Sequence, residues 1–318
     1  MAEHVSLGLH RFAVLTAAAT LVLLFLGGLV TSTGSGLAVP DWPLSFGQVF
    51  PEMKGGVLFE HGHRLAASLV GCLTVVLAVW IVLRDARPAV RVLALTTLFA
   101  VVLQGVLGGV TVLYKLPLAV SVTHACLAQT FFCLTVTLAV VTGRAWRERR
   151  SRHADLATPS LTVLAAGTTV LVFAQLVLGA LMRHMHAGLA IPDFPLAFGR
   201  LVPPLATTLI TVHFAHRVGA LLVTLAVAGL VARVVRRHRA EPLLLRPVLL
   251  AAALVVLQVT LGGLVIWTHR AVVPTTTHLV VGASLLATCL VVALRAARFT
   301  TAPRALRAAP AEPRRAFA

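Results

Sequence analysis

Eight long apolar segments constrain the fold of this chain more than any other feature of its sequence. They cover residues 12–31, 65–83, 92–114, 116–142, 161–182, 205–231, 248–267 and 271–294. A helix of about 20 apolar residues crosses the hydrocarbon core of a bilayer, where the backbone must satisfy its own polar groups. The sequence therefore predicts an all-α integral membrane protein with eight transmembrane helices.

The formal net charge of +17 does not indicate a nucleic-acid partner, because the basic residues follow the predicted topology. If the N-terminus is cytoplasmic, most arginines fall in segments on the cytoplasmic side, near residues 84–91, 144–152, 233–246 and 295–315. Lys and Arg are enriched in cytoplasmic loops of membrane proteins. The pattern predicts that both termini are cytoplasmic and that the chain's surroundings are a lipid bilayer.

The two halves of the sequence are copies of one another. GLAVPDWPLSFG starting at Gly36 matches GLAIPDFPLAFG starting at Gly188. Further matches begin at His63 and His216 (HR), at Gln104 and Gln258 (QxxLGG), and at Thr123 and Thr277 (TH). All pairs lie 152 to 154 positions apart, so a single duplication explains them.

This duplication predicts two tandem, pseudo-symmetric four-helix bundles. An even number of helices per copy gives both copies the same orientation, related by an axis along the membrane normal. We expect an N-terminal bundle in residues 1–150 and a C-terminal bundle in residues 151–318, joined by the Arg-rich segment that starts at Arg144. The two outer loops are about 25 residues each, and loops of that length are usually either functional or disordered. The Pro and Asp residues in both loops favour the first alternative, so we expect ordered lids.

Four histidines occur at equivalent depths in even-numbered helices: His63, His124, His216 and His278. Ionisable residues inside membrane helices are costly and usually functional. Two histidines from different helices of one bundle provide the geometry for axial ligation of a haem iron. A structural zinc site is disfavoured, because no further soft ligands accompany either pair.

Arginine and carboxylate side chains flank these histidines. Arg64 and Arg217 directly follow two of them and are candidates to pair with haem propionates. Glu60 lies three residues before His63, on the same helix face, whereas the second copy has His213 at that place. A carboxylate here could accept a proton or stabilise positive charge, so we expect a reactive first site and an electron-transfer or structural second site.

The remaining histidines and the cysteines are expected to be ordinary. His61, His184, His186 and His269 fall in outer loops or at helix ends, where a solvated surface position is the default. Cys72, Cys126, Cys133 and Cys289 lie inside predicted helices without a C-x-x-C spacing, so they are read as packing residues and not as a disulfide framework.

On these motifs the chain resembles the haem A synthase family. The resemblance rests on Glu60-x-x-His63-Arg64, on the Thr-His pairs ending at His124 and His278, on His213-x-x-His216-Arg217, and on the duplicated eight-helix plan. It extends from about residue 12 to residue 294, nearly the whole chain.

The resemblance implies an oxidoreductase that converts the C8 methyl of haem O to the formyl group of haem A by two successive hydroxylations. Haem O, the substrate, would bind in the first half between His63 and His124, with Glu60 at the reacting centre. A haem b cofactor would bind in the second half between His216 and His278. All four histidines would be axial ligands of haem iron.

The resemblance also bears on location and partners. Many family members carry a cysteine pair in the first outer loop, but residues 31–59 contain none, so the electron donor stays open. Ala/Arg/Leu/Val-rich composition and the lack of a transit extension favour a bacterial plasma membrane, with the haem sites toward its outer face. Haem O synthase and cytochrome oxidase assembly factors are expected partners.

Two other readings share some of these features. A di-haem electron carrier that oxidises a quinol would also use four histidines, but it gives no reason for Glu60 and His213 to differ. A transporter built from repeats places polar groups near the membrane midplane. Here the helix centres are apolar and the polar groups lie near the outer ends.

Overall fold

The computed structural model describes residues 7–148, 153–155 and 157–301. Within this part of the chain, eight helices are long and apolar enough to cross a membrane, as predicted. They are α1 (Leu7–Ser32), α2 (Gly56–Arg84), α3 (Pro88–Leu113), α4 (Leu118–Thr142), α6 (Leu161–His184), α7 (Thr208–Arg237), α8 (Pro242–Trp267) and α9 (Val272–Phe299). The fold class is therefore all-α, and the chain is a multi-pass membrane protein.

Short elements connect these helices. A single turn, α5 (Arg144–Arg147), follows α4, and a 3₁₀ turn (Ala187–Leu189) follows α6. Two-residue strands β1 (His153–Ala154) and β2 (Thr300–Thr301) pair in parallel, with His153 opposite Thr300. Part of the segment predicted to link the two halves lies outside the described residues.

Local sequence explains where several helices begin. Pro88 and Pro242 occupy the first turns of α3 and α8, where a missing N–H is not needed. Ser160 and Thr207 cap α6 and α7 by accepting hydrogen bonds from Val163 N–H and Ile210 N–H. Such caps satisfy backbone donors that a helix start leaves open.

The helices form two rings of four neighbours. In the first half, α1 and α3 each contact both α2 and α4; in the second, α6 and α8 each contact both α7 and α9. Contacts of α1 with α9 and of α4 with α6 and α9 join the rings. In α9, 61% of the most apolar stretch is buried, against 22% to 39% in the other spans, so α9 lies centrally.

Ion pairs fasten the end of the first ring opposite the predicted haem sites. Asp85, directly after α2, is almost fully buried and pairs with Arg87 and Arg147 at 2.7 Å each. Burial opposes ionisation of Asp85, but hydrogen bonds from Arg87 and the charges of both arginines outweigh it and lower the pKa of this carboxyl. Arg298 donates to Trp146 O, which joins α9 to α5.

Candidate functional site

The four histidines that the sequence singled out all lie about two turns inside the starts of their helices, at one end of the rings. His216 on α7 and His278 on α9 face each other, with ring centroids 6.5 Å apart and an interplanar angle of 63°. In the first half, His63 on α2 and His124 on α4 are the repeat equivalents of these two residues, at the same end of their ring of helices. The structure thus brings His216 and His278 face to face and gives His63 and His124 the equivalent positions in the first half.

A glycine of the neighbouring helix supports each histidine ring. A Cβ added at Gly27 or Gly179 would lie 3.0 Å from Cε1 of His63 or His216, respectively. The same atom at Gly108 or Gly262 would lie 3.3 or 3.4 Å from Cε1 of His124 or His278. Glycine thus allows a close approach of the imidazole to a neighbouring backbone at all four positions, and the approach is closest at Gly27 and Gly179.

The ring nitrogens of these histidines meet the requirement for an axial ligand. The Nδ1 atoms of His63, His124 and His278 are buried without a hydrogen-bond partner. A buried polar atom without a partner is costly unless something else binds it. Among the described residues no cluster of three or more His, Cys, Asp or Glu could hold a bare metal ion. Two facing imidazoles per site therefore fit a haem, whose macrocycle supplies the other iron ligands.

Three half-buried glutamines contact the histidines, although the sequence indicated no role for them. Gln175 Nε2 lies 3.1 Å from His216 Nδ1 and donates to His216 O at 2.8 Å. Gln104 and Gln258 approach a ring nitrogen of His124 and His278 at 3.4 and 3.3 Å. Gln104 and Gln258 had appeared only as markers of the repeat. Nothing in the sequence indicated that Gln175 on α6 reaches α7.

Two loops above the histidines have the same fold. We call residues 33–55 loop 1 and residues 185–207 loop 2. The Asp41 carboxylate accepts hydrogen bonds from Phe46 N–H and Gly47 N–H at 2.7 and 2.8 Å. Asp193 in loop 2 does the same with Phe198 N–H and Gly199 N–H, at identical distances. These amides, that of Gly47 or Gly199 foremost, lower the pKa of each aspartate.

Each loop inserts an aromatic ring over a glycine next to the histidine site. A Cβ at Gly109 would lie 2.5 Å from Cδ2 of Trp42, and one at Gly263 would lie 3.0 Å from Cδ1 of Phe194. The paired glycines of α3 and α8 therefore divide their contacts: the first meets the histidine and the second meets the loop. The histidine ring on one glycine and the loop aromatic ring on the next explain why both positions of each pair are small.

Arg64 and Arg217 hold the loops in place. Arg64 donates to Asp41 O at 2.8 Å, Leu44 O at 2.9 Å and Val39 O at 3.3 Å. Arg217 donates to Leu196 O at 2.7 Å, Asp193 O at 2.6 Å and Ile191 O at 3.2 Å. Each guanidinium thus joins its loop to the helix that carries the histidine, and propionate binding by either one stays a prediction.

Glu60 and His213 make the same contact with different chemistry. Glu60 Oε2 accepts from Val39 N–H at 2.9 Å, and His213 Nδ1 accepts from Ile191 N–H at 3.2 Å, where Val39 and Ile191 are repeat equivalents. Only Glu60 adds an ion pair, with Arg64 at 2.6 Å. Both side chains are buried, with 4% and 3% of their residues exposed. The first site therefore contains a fixed carboxylate beside His63, and the second does not.

The expectation that His61 is a solvated surface residue is wrong. Helix α2 begins at Gly56, so His61 lies inside it, is 5% exposed and shares a 2.8 Å hydrogen bond with Ser45 Oγ of loop 1. The repeat equivalents are Phe214 and Ala197, so an apolar pair replaces this polar pair in the second half. His186 and His269 are exposed as expected, and His184 ends α6 half-buried.

The cysteines are free, as predicted for packing residues. Cys289 is buried, Cys126 and Cys133 are half-buried, and Cys72 is exposed on the helix surface.

Comparison with known proteins gives consistent matches over most of the chain. A family model described as "Cytochrome oxidase assembly protein" (COX15-CtaA) matches residues 10–290. A curated "Heme A synthase" of Shouchella clausii is 32% identical over 83% of this chain and 88% of its own length. The "Heme A synthase" of Symbiobacterium thermophilum is 35% identical, covering 70% and 74%, and that of Geobacillus kaustophilus is 29% identical, covering 82% and 83%.

Proposed function

The chain belongs to the cytochrome oxidase assembly protein family, and from this membership we propose that it acts as a haem A synthase, an oxidoreductase that converts haem O to haem A. The observation that carries the proposal is the asymmetry between two otherwise matching histidine pairs. Glu60 gives one pair a buried carboxylate, whereas His213 gives the other a group that is neutral unless protonated.

The proposal assigns one haem to each half. Residues 1–150 would bind substrate haem O between His63 and His124, and residues 151–318 would bind a haem b cofactor between His216 and His278. The 6.5 Å separation of the His216 and His278 rings supports the second assignment, because metal–imidazole nitrogen bonds of about 2 Å leave room for one metal atom between them. Matching glycine supports and loops in both halves favour the two-bundle division.

The protein's contribution to the reaction is positioning and electrostatics. Bound haem iron supplies the oxidising chemistry. Glu60 lies about one turn from His63, and Arg64 and the Val39 N–H hold its carboxylate in place. A fixed carboxylate stabilises positive charge that develops as the methyl group is oxidised, and it accepts the proton released there. A second hydroxylation gives a geminal diol, which loses water to form the aldehyde.

Loop 1 encloses the reacting group. Its Trp42 ring packs directly on Gly109, next to the glycine that supports His124. An enclosed site excludes water and strengthens the electrostatic effect of Glu60. The second half has the same cover, with Phe194 over Gly263, so both haems would be shielded from water on the loop side.

We also propose that both termini are cytoplasmic and that the haem sites face the outer side of a bacterial plasma membrane, which the positive-inside pattern supports. Haem O is too hydrophobic to cross water readily, so we include haem O synthase, together with cytochrome oxidase assembly factors, among the proposed partners. Loop 1 contains no cysteine, so the proposal includes no thiol relay of electrons in this loop.

Expression in cells that make haem O but lack their own haem A synthase tests the proposal. We expect chromatography of extracted haems to show haem A in cells with the intact chain, and haem O and haem b without haem A in cells with a His63→Ala variant. A chain that gives no haem A, yet purifies with two haems b, would instead be a di-haem electron carrier.

A further inference from the structure

The four histidines differ in whether an amide supports the ring. Glutamines contact three of them: Gln104 at His124, Gln258 at His278 and Gln175 at His216. The residue of α1 equivalent to Gln175 is Leu23, whose side chain packs against the apolar cluster around Phe131. His63 therefore has no amide on this side, and its buried Nδ1 has no partner.

A second difference between the halves accompanies this one. A Cβ at Gly219 would lie 2.1 Å from Oε1 of Gln175, so any larger residue here would push the amide out of its present position. The equivalent residue in the first half is Ala66, and the residue equivalent to Gln175 is Leu23, which has no amide. Glutamine and glycine thus occur together in the second half, and leucine and alanine occur together in the first.

Gln175 contacts both the backbone and the ring of His216 through its amide nitrogen. Nε2 donates to His216 O at 2.8 Å and lies 3.1 Å from Nδ1, so one side chain of α6 holds the backbone and the ring of His216 together. Neighbouring side chains that orient the ring of a metal-ligating histidine strengthen its binding of the metal.

We propose that Gln175 is a positioning residue that fixes His216 as a permanent axial ligand, and that Leu23 leaves His63 as the weaker, exchangeable ligand. This inference rests on the proposed function: a cofactor stays bound, whereas a substrate haem must enter and its product must leave. The structure makes the two sites unequal in ligand support, with His63 the one ligand of four that lacks an amide among the described residues.

Haem transfer to excess apomyoglobin measures the rate at which each site releases its haem, and it does not depend on catalytic activity. We expect Gln175→Met, which keeps length and apolar burial but removes the amide, to release haem b about tenfold faster than the unaltered protein. Gln175→Glu, whose carboxylate cannot donate to His216 O, should release haem b as fast as the Met variant. Equal release rates for the Met variant and the unaltered protein would overturn the proposal, because packing alone would then account for Gln175.

The reverse exchange tests the first half. Leu23→Gln combined with Ala66→Gly installs the second-half arrangement, and we expect it to slow the release of haem O or haem A several-fold. Leu23→Met with Ala66→Gly is the matched control, since it changes volume without adding an amide. If the Gln and Met variants release haem at the same rate, His63 does not gain from an amide and the proposal fails.

Failure of this inference is distinguishable from failure of the proposed function. Extraction identifies the haem retained at each time, so haem b reports the second half and haem O or haem A reports the first. If only haem b is found, the proposed function fails, but Gln175→Met should still accelerate the release of one of two haems. Gly219→Ala, whose Cβ displaces the amide, should reproduce the Gln175→Met result.

Discussion

Glu60 and His213 occupy equivalent positions and accept a hydrogen bond from equivalent loop amides, yet only Glu60 introduces a negative charge beside a histidine pair. The backbone contact explains why both side chains are buried and ordered. It does not explain the choice of a carboxylate in the first half. The charge is therefore the property to which we attribute the proposed difference between a reactive first site and a supporting second one.

Replacing Glu60 by glutamine tests that charge at constant size. Glu60→Gln keeps an acceptor for the Val39 N–H but cannot take up a proton or stabilise positive charge. We expect haem A formation to fall by about 10²-fold or more, with haem b retained in the second half. Glu52, an exposed acid of loop 1 paired with Lys54, provides the control, and Glu52→Gln should leave haem A formation unchanged. Full activity of Glu60→Gln would remove Glu60 from the chemistry.

At the scale of elements, loops 1 and 2 determine how closed the sites are. Each is built by one aspartate turn, one arginine anchor and one aromatic ring on a glycine. The first loop has in addition a polar contact, Ser45 with His61, where the second has Ala197 and Phe214. Loop 1 is thus tied to its helix by more hydrogen bonds than loop 2, above the site that holds the carboxylate.

The contact between Trp42 and Gly109 predicts a large effect of one methyl group. In Gly109→Ala the added Cβ overlaps the Trp42 ring, so loop 1 must move and we expect haem A formation to fall about tenfold. Combining it with Trp42→Phe, the ring size of the second half, should restore much of that loss. Gly105→Ala on the same helix is the control, since nothing lies within 4 Å of its Cβ. Equal effects of Gly109→Ala and Gly105→Ala would contradict the role of loop 1 as a cover.

The aspartate turns predict how the loops respond to acid. Donation from Gly47 N–H and Phe46 N–H holds the pKa of Asp41 below its usual value of 3.8. Because the pKa is lowered on folding, the turn is fully stabilised above that value and loses its stabilisation as the pH falls through the lowered one. Proteolysis of loop 1 should therefore be constant from pH 8 to about pH 5 and rise only below about pH 4. Asp41→Asn should be nicked equally across this range, and a rise already near pH 6 would implicate a histidine instead.

The helices were largely predictable from the sequence because their apolar runs are long and few residues interrupt them. The apolar run of α2 begins only at Leu65, but the spacing of Glu60 and His63 already indicated that the helix starts earlier, and it begins at Gly56. The burial of His61 was not predictable, because it depends on a contact with Ser45 of loop 1. The histidine pairs were predictable from their unusual cost in a membrane. Their glutamine and glycine neighbours were not, since these contacts join helices that are distant in sequence.

For the whole molecule, the contact between the two four-helix rings determines whether the two histidine sites keep a fixed position relative to one another. Arg183, at the end of α6, donates to Gly28 O at 3.0 Å and to Ser32 Oγ at 2.8 Å, and Thr276 on α9 donates to the same hydroxyl at 2.9 Å. Gly28 allows this approach, because a Cβ there would lie 3.1 Å from Thr276 Cγ2. Ser32 thus links α1 to two helices of the second half.

Removing the Ser32 hydroxyl should weaken this link. Ser32→Ala removes the acceptor of the buried Thr276 hydroxyl and one of the two acceptors of Arg183, so we expect the free energy of unfolding to fall by about 1–3 kcal/mol, seen as a lower melting temperature in detergent. Ser68, whose exposed hydroxyl bonds only within its own helix, gives the matched control variant Ser68→Ala. If both variants melt at the same temperature, Arg183 and Thr276 do not stabilise the junction through Ser32.

The central claim is that one half holds a substrate haem and the other a cofactor. Extraction and chromatographic identification of the haems in the purified protein, from cells that make haem O, tests it most directly. The account predicts haem b together with haem O, its hydroxylated intermediate or haem A. Haem b alone at two per chain, or no haem in well-folded protein, would contradict it.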